Sequence, residues 1–308
     1  MNDNLKLLID EAEKAGCKVE LKPLLKDYTS FRIGGEAAAL FELDSVQKCQ
    51  RLIPFAAKNN IPYFVFGKGS NILADDRKTD LAIFRINGSA PEMIGEDTIR
   101  CFAGVPLVKL CGFALDNGLS GLEFAYGIPG SVGGAVYMNA GAYGGEMKDV
   151  LASVTALDTN GNIHEYAADE LEMSYRHSRF TDSGEVILSA EFRLKKADKD
   201  SIKARMSELM EKRRSKQPLE FPSAGSTFKR PEGAYAAQLI EECGLKGFTV
   251  GNAQVSEKHS GFVINRGGAS FDDVMAVIAE VKRTVAEKTG FRLECEPIIL
   301  SEREEYGK

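Results

Sequence analysis

The chain of 308 residues has few of the side chains that hold metals or form redox pairs. Its three histidines are His164, His177 and His259, which argues against a multi-histidine metal site. Of its six cysteines no two form CxxC, so the sequence gives no support to zinc or thioredoxin-like chemistry. We therefore predict no metal site, and reduced thiols that pack as small hydrophobic side chains.

The sequence also lacks a basic surplus and a long apolar run. Its formal net charge is −6, whereas a general nucleic-acid-binding protein would carry excess positive charge. No stretch approaches the roughly 18 apolar residues that span a bilayer, and MNDNLKLLIDEAEKAG (1–16) reads as an amphipathic helix rather than a signal peptide. We expect a cytoplasmic protein with a small-molecule partner, no nucleic-acid or membrane partner, and a monomeric state as the default.

Helical and strand patterns are mixed along the chain, which predicts an α+β or α/β architecture. Helices are predicted over 44–59, with Asp44 as N-cap and Pro54 as a kink or early end, and over 200–216, 233–246 and 272–288. Short strands are predicted at YFVFG, LAIFRI, TIRCFAG, SVTALDT, VILSAEFRL, SGFVIN and LECEPIIL.

The loop FGKGSNIL (66–73) is a first candidate phosphate-binding segment. It follows a predicted strand, and its glycines allow a ligand to approach the backbone closely. It is not a Rossmann fingerprint, because Ile72 stands at the third glycine position, and it is not a P-loop, because Gly69 follows Lys68. Taken alone, this segment favours the alternative of an ordinary strand-to-loop turn.

The densest glycine segment covers residues 121–145, which we call the glycine-rich block. Eight glycines fall within these 25 residues, and such density carries a cost in conformational entropy. We favour backbone pressed against a ligand over a loop-rich β segment with tight bends. Ser131 and Asn139 are the polar groups that would complete a pyrophosphate site.

Two short segments contain candidate catalytic groups. YRHSRF (175–180) offers an arginine fork for a carboxylate, although a surface ion pair is far commoner for an isolated arginine. SAGSTFKRP (223–231) places Ser226 beside glycine, with Lys229 near enough to lower the cost of a serine alkoxide. The alternative for Ser226 is an ordinary cap or turn serine, which the segment alone favours.

The closing segment LECEP (293–297) places Glu294 and Glu296 on one face of a strand. Either both carboxylates face solvent, or one glutamate is buried and acts as an acid or an orienting group.

Taken together, these segments resemble the UDP-N-acetylenolpyruvoylglucosamine reductase family. The matching stretches occur in the family's order across nearly the whole chain: YTSFRIGG (28–35), GKGSN (67–71), GLEF and GIPGSVGGAVYMNAGAYG within the glycine-rich block, YRHSRF, SAGSTFKRP, GNAQVSEKHSGFVIN (251–265) and LECE. Each motif is weak alone, but their joint specificity is high. The resemblance implies a flavoprotein oxidoreductase of bacterial peptidoglycan precursor synthesis, and hence of cell wall biogenesis, cell shape and cell division.

The resemblance implies a three-domain fold with a vanillyl-alcohol-oxidase-type FAD-binding module and a separate α+β substrate domain. We assign residues 1–80 and 81–200 to two FAD-binding subdomains, 201–290 to the substrate-binding domain, and 291–308 to a C-terminal strand returning to the FAD-binding side. The implied FAD-binding residues are Gly67, Gly69, Ser70, Asn71, Gly127, Ile128, Pro129, Gly130, Ser131, Gly133, Gly134, Asn139 and Gly141.

The resemblance also implies a reaction in two halves. NADPH would reduce FAD and leave, and the enolpyruvyl group of UDP-N-acetylglucosamine enolpyruvate would then accept hydride at C3 to give UDP-N-acetylmuramate. By motif position, Arg176 and Glu296 would stabilise the enolate-like charge, and Ser226 would protonate C2. The preference for NADPH over NADH follows from the resemblance alone.

The substrate diphosphate needs cations, and the candidates are Lys216, Lys229 and, after them, Lys258 or His259. Asn252 and Gln254 are candidates for polar contacts with sugar or uridine.

Two residues depart from the family pattern. Lys68 stands where a small glycine is usual, and Cys295 stands where proline is usual. The spacing between YRHSRF and SAGSTFKRP leaves no room for the tyrosine-bearing loop of one subgroup, so the chain resembles the shorter subgroup.

Two other functions remain open at this stage. A related flavoprotein oxidase or dehydrogenase would use the same FAD module on another substrate, and SAGSTFKRP and Lys216 would then have no special role. A sugar-nucleotide-binding regulator without catalysis would contain no flavin.

Overall fold

The structure is a computed structural model that describes residues 3–88 and 90–303. Residues 304–308 of the predicted C-terminal segment lie outside the described residues. The described residues form eight α-helices: α1 Asp3–Lys14, α2 Val46–Lys58, α3 Leu107–Asp116, α4 Val132–Tyr137, α5 Phe180–Ser183, α6 Lys199–Lys216, α7 Ala236–Glu242 and α8 Phe271–Thr289.

The same residues form eighteen short β-strands: β1 Lys18–Leu21, β2 Ala39–Leu43, β3 Tyr63–Phe66, β4 Ile72–Ala74, β5 Ala82–Ile86, β6 Glu92–Met93, β7 Thr98–Phe102, β8 Leu119–Ser120, β9 Gly141–Ala142, β10 Gly145–Glu146, β11 Leu151–Leu157, β12 Ile163–Ala167, β13 Val186–Arg193, β14 Lys195–Lys196, β15 Thr249–Val250, β16 Ala253–Val255, β17 Val263–Asn265 and β18 Ile298–Leu300. The mixed α/β architecture is confirmed, and every predicted strand segment contains an observed strand.

The start of α2 corrects one prediction. Ser45, not Asp44, is the N-cap, and its Oγ accepts a hydrogen bond from the Lys48 N–H at 3.4 Å. A serine hydroxyl at this position satisfies one of the unpaired N–H groups of the first turn. Asp44 instead pairs with Lys48 Nζ at 2.8 Å on the exposed surface. Pro54 lies inside α2, which nevertheless continues to Lys58.

Two further helix ends show how local sequence fixes boundaries. Ser270 caps α8 through a hydrogen bond that its Oγ accepts from the Asp273 N–H, and Asp273 accepts one in return from the Ser270 N–H. Gly244 follows α7 with φ +77, the left-handed conformation that commonly ends helices. Both ends follow from short-range chemistry, so the predicted helices over 233–246 and 272–288 are confirmed apart from their exact bounds.

The described chain divides into two compact units, each built from separated stretches. Unit 1 comprises the described residues within Met1–Lys22, Ala38–Lys68 and Asp80–Lys212. It contains a four-stranded sheet of order β1-β2-β5-β3 and a five-stranded antiparallel sheet of order β12-β11-β13-β7-β6. In the smaller sheet β2, β5 and β3 run parallel to one another, and its core includes the fully buried Phe41 and Phe84.

Unit 2 comprises the described residues within Pro23–Ala37, Gly69–Thr79 and Arg213–Lys308. Strands β15, β16 and β17 form an antiparallel sheet, and β18 pairs in parallel with β4. The apolar face of α8, including Phe271, Val274 and Val281, is fully buried in this unit. Complete burial of such side chains stabilises the fold by about 1.5–3 kcal/mol each.

No helix within 3–88 and 90–303 combines the length and the apolar character that a membrane span requires. The six cysteines are thiols, and five of them are buried. The assignment of residues to two FAD-binding subdomains and one substrate domain stays a prediction.

Candidate functional site

The glycine-rich block of unit 1 folds around the short helix α4. A tight turn closes before the helix, because the Ile128 N–H donates to Ala125 O at 3.0 Å. Pro129 and Gly134 are exposed, whereas Gly127 and Gly130 are half-buried. The block therefore presents an open stretch of backbone at its turn and at the start of α4.

The two adjacent glycines of α4, Gly133 and Gly134, differ in whether packing requires glycine at their position. A Cβ on Gly133 would lie 2.8 Å from the Cβ of Ala103, so packing inside unit 1 requires glycine there. A Cβ on Gly134 would meet only Ser131 Oγ, at 3.5 Å, which is an ordinary contact. Internal packing does not explain Gly134, and an exposed glycine on open backbone is what close approach of a cofactor needs.

Ser131 and Gly67 contact each other within unit 1. Ser131 is buried and precedes α4, but its side chain does not cap the helix. A Cβ on Gly67 would overlap the Ser131 hydroxyl, so Gly67 makes room for this serine. Packing also explains glycine at position 141, because a Cβ there would lie 2.7 Å from Glu146 Cγ in the β9–β10 hairpin.

Asn139 and the YRHSRF segment are joined in the same unit. Asn139 is 1% exposed, and its Nδ2 donates to Ser174 O at 3.0 Å and to Glu146 Oε2 at 2.9 Å. Ser174 and His177 pair across a two-residue turn that contains Arg176. Arg176 has φ +56, a conformation that non-glycine residues rarely adopt.

In unit 2 the segment SAGSTFKRP pairs with the closing segment LECEP. An antiparallel bridge joins Phe228 to Cys295, the Glu296 N–H donates to Thr227 O at 3.0 Å, and the Lys229 N–H donates to Glu294 O at 2.9 Å. This register sets Thr227 opposite Glu296, so half-buried Ser226 lies one residue from the partner of Glu296.

Thr227 anchors the proposed proton donor, and sequence reasoning missed it. Thr227 is 2% exposed. Its N–H donates to Gly261 O at 2.8 Å, and its Oγ1 accepts from the Val263 N–H at 2.9 Å. Gly225, on the other side of Ser226, has φ +79. Ser226 is thus held between a rigid anchor and a glycine turn, and no local signal in the sequence indicated the anchor.

The unit 2 part of GKGSN is tied to Glu296. Asn71 Nδ2 donates to Glu296 O at 3.2 Å, and the Ile298 N–H donates to Asn71 O at 2.9 Å. Gly69 has φ +61, and a Cβ there would overlap Tyr28 O. Ser70 is half-buried. Among the predicted site residues, unit 2 therefore brings Asn71, Ser226 and Glu296 together, in addition to Lys229.

The predicted substrate-binding cations differ in their surroundings. Lys216 is exposed at the end of α6. Lys229 forms a half-exposed ion pair with Glu294 at 3.5 Å, and Lys258 Nζ donates to Arg214 O at 2.7 Å. Burial lowers the pKa of His259, and its Nδ1 accepts from the Gly261 N–H at 3.2 Å. These features favour a neutral imidazole at pH 7, which suits a hydrogen-bonding contact better than a charged one.

The two candidates for sugar or uridine contacts lie in the β15–β16 hairpin of unit 2, and β16 is the central strand of its sheet. Asn252 is exposed between β15 and β16. Gln254 is 9% exposed, and its Nε2 donates to Thr249 Oγ1 at 2.9 Å and towards Gly247 O at 3.3 Å. The Gln254 amide N–H groups therefore hold their own hairpin, and its Oε1 is the atom left for a ligand contact.

Comparison with known proteins relates both units to one enzyme family. A family model for the FAD binding domain matches residues 37–167, and one for the UDP-N-acetylenolpyruvoylglucosamine reductase C-terminal domain matches residues 217–300. The UDP-N-acetylenolpyruvoylglucosamine reductase of Clostridium novyi is 46% identical over 99% of this chain and 98% of its own length. That of Syntrophomonas wolfei is 45% identical over 92% of this chain and 96% of its own length.

Comparison with solved structures relates this chain to the same family. The UDP-N-acetylenolpyruvylglucosamine reductase of Thermus caldophilus matches with a TM-score of 0.78 and 36% identity, covering 92% of this chain and 100% of its own. The glucose dehydrogenase Phl p 4.0202 matches at 16% identity with a TM-score of 0.51 over 64% of this chain and 45% of its own, a likeness of fold alone. The predicted FAD-binding module with a separate C-terminal domain is confirmed. This chain belongs to the UDP-N-acetylenolpyruvoylglucosamine reductase family, the FAD-binding oxidoreductases of peptidoglycan precursor synthesis.

Proposed function

We propose that this protein reduces the enolpyruvyl group of UDP-N-acetylglucosamine enolpyruvate to UDP-N-acetylmuramate, with NADPH as the reductant and FAD as the bound cofactor. One structural observation carries the proposal beyond family membership. The backbone pairing of Phe228 with Cys295, and of Thr227 with Glu296, joins the segment of Ser226 to that of Glu296 and supports a site to which both belong. A proton donor and a charge-stabilising carboxyl on two paired segments are compatible with protonation of a carbon centre.

The residues of unit 1 fit the cofactor. Exposed Gly134 and the half-buried backbone around Gly127 and Gly130 offer close approach without a side chain in the way. When bound, FAD supplies hydride transfer from the nicotinamide to the enolpyruvyl carbon. We retain GKGSN and the glycine-rich block as the segments that would hold it. The half-buried Ile128 and the buried Ser131 would line the cofactor from the protein side.

Four side chains are assigned to the second half-reaction. The Arg176 guanidinium stabilises the negative charge that develops on the enolpyruvyl carboxylate, and its planar fork suits a carboxylate. Ser226 donates its proton to C2, and Lys229 lowers the cost of the alkoxide that remains. Glu296 is assigned, with Arg176, to stabilisation of the enolate-like charge, and its backbone pairing with Thr227 holds its segment against that of Ser226. Lys216 and Lys229 attract the diphosphate, with His259 as a neutral hydrogen-bonding group.

The proposal also covers the reductant, the domain division, the oligomeric state and the cellular location. NADPH rather than NADH and a three-domain division rest on family resemblance, and a monomeric state is the default. A cytoplasmic location is supported by the six thiols, because free cysteines persist in reducing compartments.

The test is an anaerobic two-step reaction with the purified protein. We expect flavin absorbance in the protein, bleaching on addition of NADPH, and return of colour when the enolpyruvyl sugar nucleotide is added. UDP-N-acetylglucosamine, which lacks the enolpyruvyl group, is the matched control and should not restore the colour. Colour that returns only with oxygen or with an unrelated acceptor would favour an oxidase or dehydrogenase on another substrate. A protein that takes up no FAD would contradict both enzymes and leave a binding protein.

A further inference from the structure

The turn that carries Arg176 is strained. The Ser174 N–H donates to His177 O at 3.1 Å and the His177 N–H donates to Ser174 O at 3.3 Å, so Tyr175 and Arg176 form a two-residue loop. Arg176 occupies the left-handed region at φ +56, which costs an arginine roughly 1–2 kcal/mol. A short isolated turn does not hold such a conformation, so its surroundings must stabilise it.

Asn139 supplies a direct support for this turn. Its Nδ2 donates to the carbonyl of Ser174 at 3.0 Å, which is the same carbonyl that closes the turn with His177. Asn139 is 1% exposed, so this hydrogen bond is shielded from water and costly to leave unmade. The contact spans 35 residues of sequence and links the glycine-rich block to YRHSRF.

The remaining amide atoms of Asn139 are engaged as well. The second Nδ2 hydrogen goes to Glu146 Oε2 at 2.9 Å, and Oδ1 accepts from the Lys148 N–H at 3.0 Å. A primary amide has two N–H donors, so a cofactor contact through Nδ2 would break one of these bonds. The geometry thus suits a support within the protein better than a ligand contact.

Glu146 adds an electrostatic link between Asn139 and Arg176. Hydrogen bonds from Lys148 and Asn139 lower the pKa of Glu146 against the effect of burial, and the positive charge of Arg176 lowers it further. Lys148 Nζ lies 2.9 Å from Glu146 Oε2. The ionised carboxylate therefore attracts the guanidinium while it accepts from the Asn139 amide.

From these contacts we propose that Asn139 is a positioning residue that, together with Glu146, holds the strained Arg176 turn in the geometry needed for reduction of the enolpyruvyl group. This role rests on the proposed function. It differs from the cofactor contact that the sequence suggested for Asn139, because the side chain acts through Ser174 and Glu146 on Arg176.

The chain offers a matched pair of variants. Asn139 has φ +43, so Asn139→Gly keeps the backbone conformation and removes only the amide. Asn60 has φ +52 and is exposed after the end of α2, so Asn60→Gly is the same chemical change in unit 1 without the buried contacts. If Asn139→Gly does not fold, Asn139→Asp keeps the shape and replaces the Nδ2 donor with a carboxylate oxygen facing Glu146.

The experiment compares the two half-reactions in anaerobic rapid mixing. We expect Asn139→Gly to bind FAD fully, to be reduced by NADPH within about twofold of wild type, and to be reoxidised by saturating substrate about 10- to 100-fold more slowly. Asn139→Asp should be slower still, because two carboxylates then face each other. Asn60→Gly should match wild type. Loss of FAD from Asn139→Gly, or equal slowing of both half-reactions, would overturn the proposal.

A double-variant cycle tests whether Asn139 acts through Arg176. Asn139→Gly combined with Arg176→Ala should react no more slowly than Arg176→Ala alone. If the rate losses of Asn139→Gly and Arg176→Ala multiply in the double variant, Asn139 does not act through Arg176.

Limited trypsin digestion separates this inference from the proposed function. A loosened turn should be cleaved after Arg176 faster in Asn139→Gly than in Asn60→Gly. The wild-type protein could fail to reduce the enolpyruvyl substrate while Asn139→Gly is still cleaved faster than Asn60→Gly. That result would contradict the proposed function and support the role of Asn139 in holding the turn. Equal cleavage rates would overturn the support itself.

Discussion

The side chain of Asn71 donates a hydrogen bond to the backbone carbonyl of Glu296, at 3.2 Å and across 225 residues of sequence. A second hydrogen bond, from the Ile298 N–H to Asn71 O, joins Asn71 to the same segment. The residue predicted to contact FAD thus also fixes the backbone of a residue assigned to substrate reduction.

Asn71→Ala should reduce the free energy of unfolding by about 1–3 kcal/mol, because the partly buried Glu296 carbonyl loses its donor. Asn71→Asp should cost more, since a carboxylate oxygen would then face the carbonyl. Urea unfolding gives the stability, and stopped-flow reoxidation by the enolpyruvyl substrate gives the functional effect. Unchanged stability in both variants would show that the hydrogen bond contributes nothing.

Ser226→Ala should slow reoxidation of the reduced enzyme by about 10²–10⁴-fold while reduction by NADPH stays near wild type, because only the second half-reaction needs a proton at C2. Ser223→Ala is the control in the same segment. Its hydroxyl accepts a long hydrogen bond, 3.4 Å, from the Gly225 N–H. Equal damage to both half-reactions in Ser226→Ala would remove the proton-donor assignment.

The glycine pair of α4 should respond in opposite ways to alanine. Gly133→Ala should destabilise the protein by about 1–3 kcal/mol, because the new methyl overlaps Ala103. Gly134→Ala should keep or raise stability by up to about 1 kcal/mol. The same Gly134 methyl should weaken FAD binding roughly five- to 150-fold if it presses on the cofactor. Thermal unfolding of the flavin-free protein and FAD titration separate these effects, and normal FAD affinity in Gly134→Ala would place the cofactor elsewhere.

The ion pair between Asp75 and Arg303 should make unit 2 sensitive to acid. Both side chains are about 90% buried, with Nε and Oδ2 2.7 Å apart. Burial opposes ionisation of Asp75, but hydrogen bonds from the Arg77 N–H, Ser301 and Arg303 outweigh it and lower its pKa.

A lowered folded-state pKa means that the stabilisation is present above the unfolded value of about 4 and is lost as the pH falls through the folded-state value. At pH 7, Asp75→Asn should be about 3–5 kcal/mol less stable than wild type. The difference should shrink in unfolding measurements below about pH 4. A difference that does not change with pH would contradict an ionised Asp75.

Two histidines should titrate on opposite sides of the ordinary value of about 6.5. A hydrogen bond to Asp182 Oδ2, at 2.9 Å, raises the pKa of His177, whereas burial lowers that of His259. Any stability from the His177 pair is therefore present below about pH 6.5 and is lost as the pH rises through the raised pKa. NMR titration of the ring protons, assigned with His177→Gln and Asp182→Asn, measures both values. A His259 that is charged at pH 7 would restore it as a cation for the diphosphate.

Local chemistry made much of the fold predictable from the sequence. The apolar spacing of Val274, Ile278, Val281 and Val285 predicted α8, and all four side chains are buried. Gly244 ended α7 as expected. For α2 the predicted N-cap was wrong. Asp44 and Ser45 are neighbours that can both cap a helix, and the structure shows that the Ser45 side chain accepts the hydrogen bond from the first turn.

Contacts between segments that are distant in the sequence could not be predicted in this way. Nothing near Asn139 indicates that its amide meets Ser174, and nothing near Thr227 indicates that it anchors on Gly261 and Val263. Each contact depends on a fold that brings together distant stretches. The ligand contacts predicted for Asn139, Gln254 and Asn71 stay predictions, and the structure adds that the amide of each residue also donates hydrogen bonds within the protein.

The pairing of β4 with β18 has a consequence for biosynthesis. Ser301, which hydrogen-bonds Asp75 just beyond these strands, is 226 residues downstream of it. At about 5–20 residues per second, the segment after GKGSN waits roughly 10–45 s on the ribosome before its partner strand is made. Throughout that time β4, which contains Ile72 and Leu73, lacks the strand with which it pairs in the folded protein. Nascent chains of this protein should therefore depend on chaperones, and a stop codon only a few codons before 298 should leave unit 2 without its last strand.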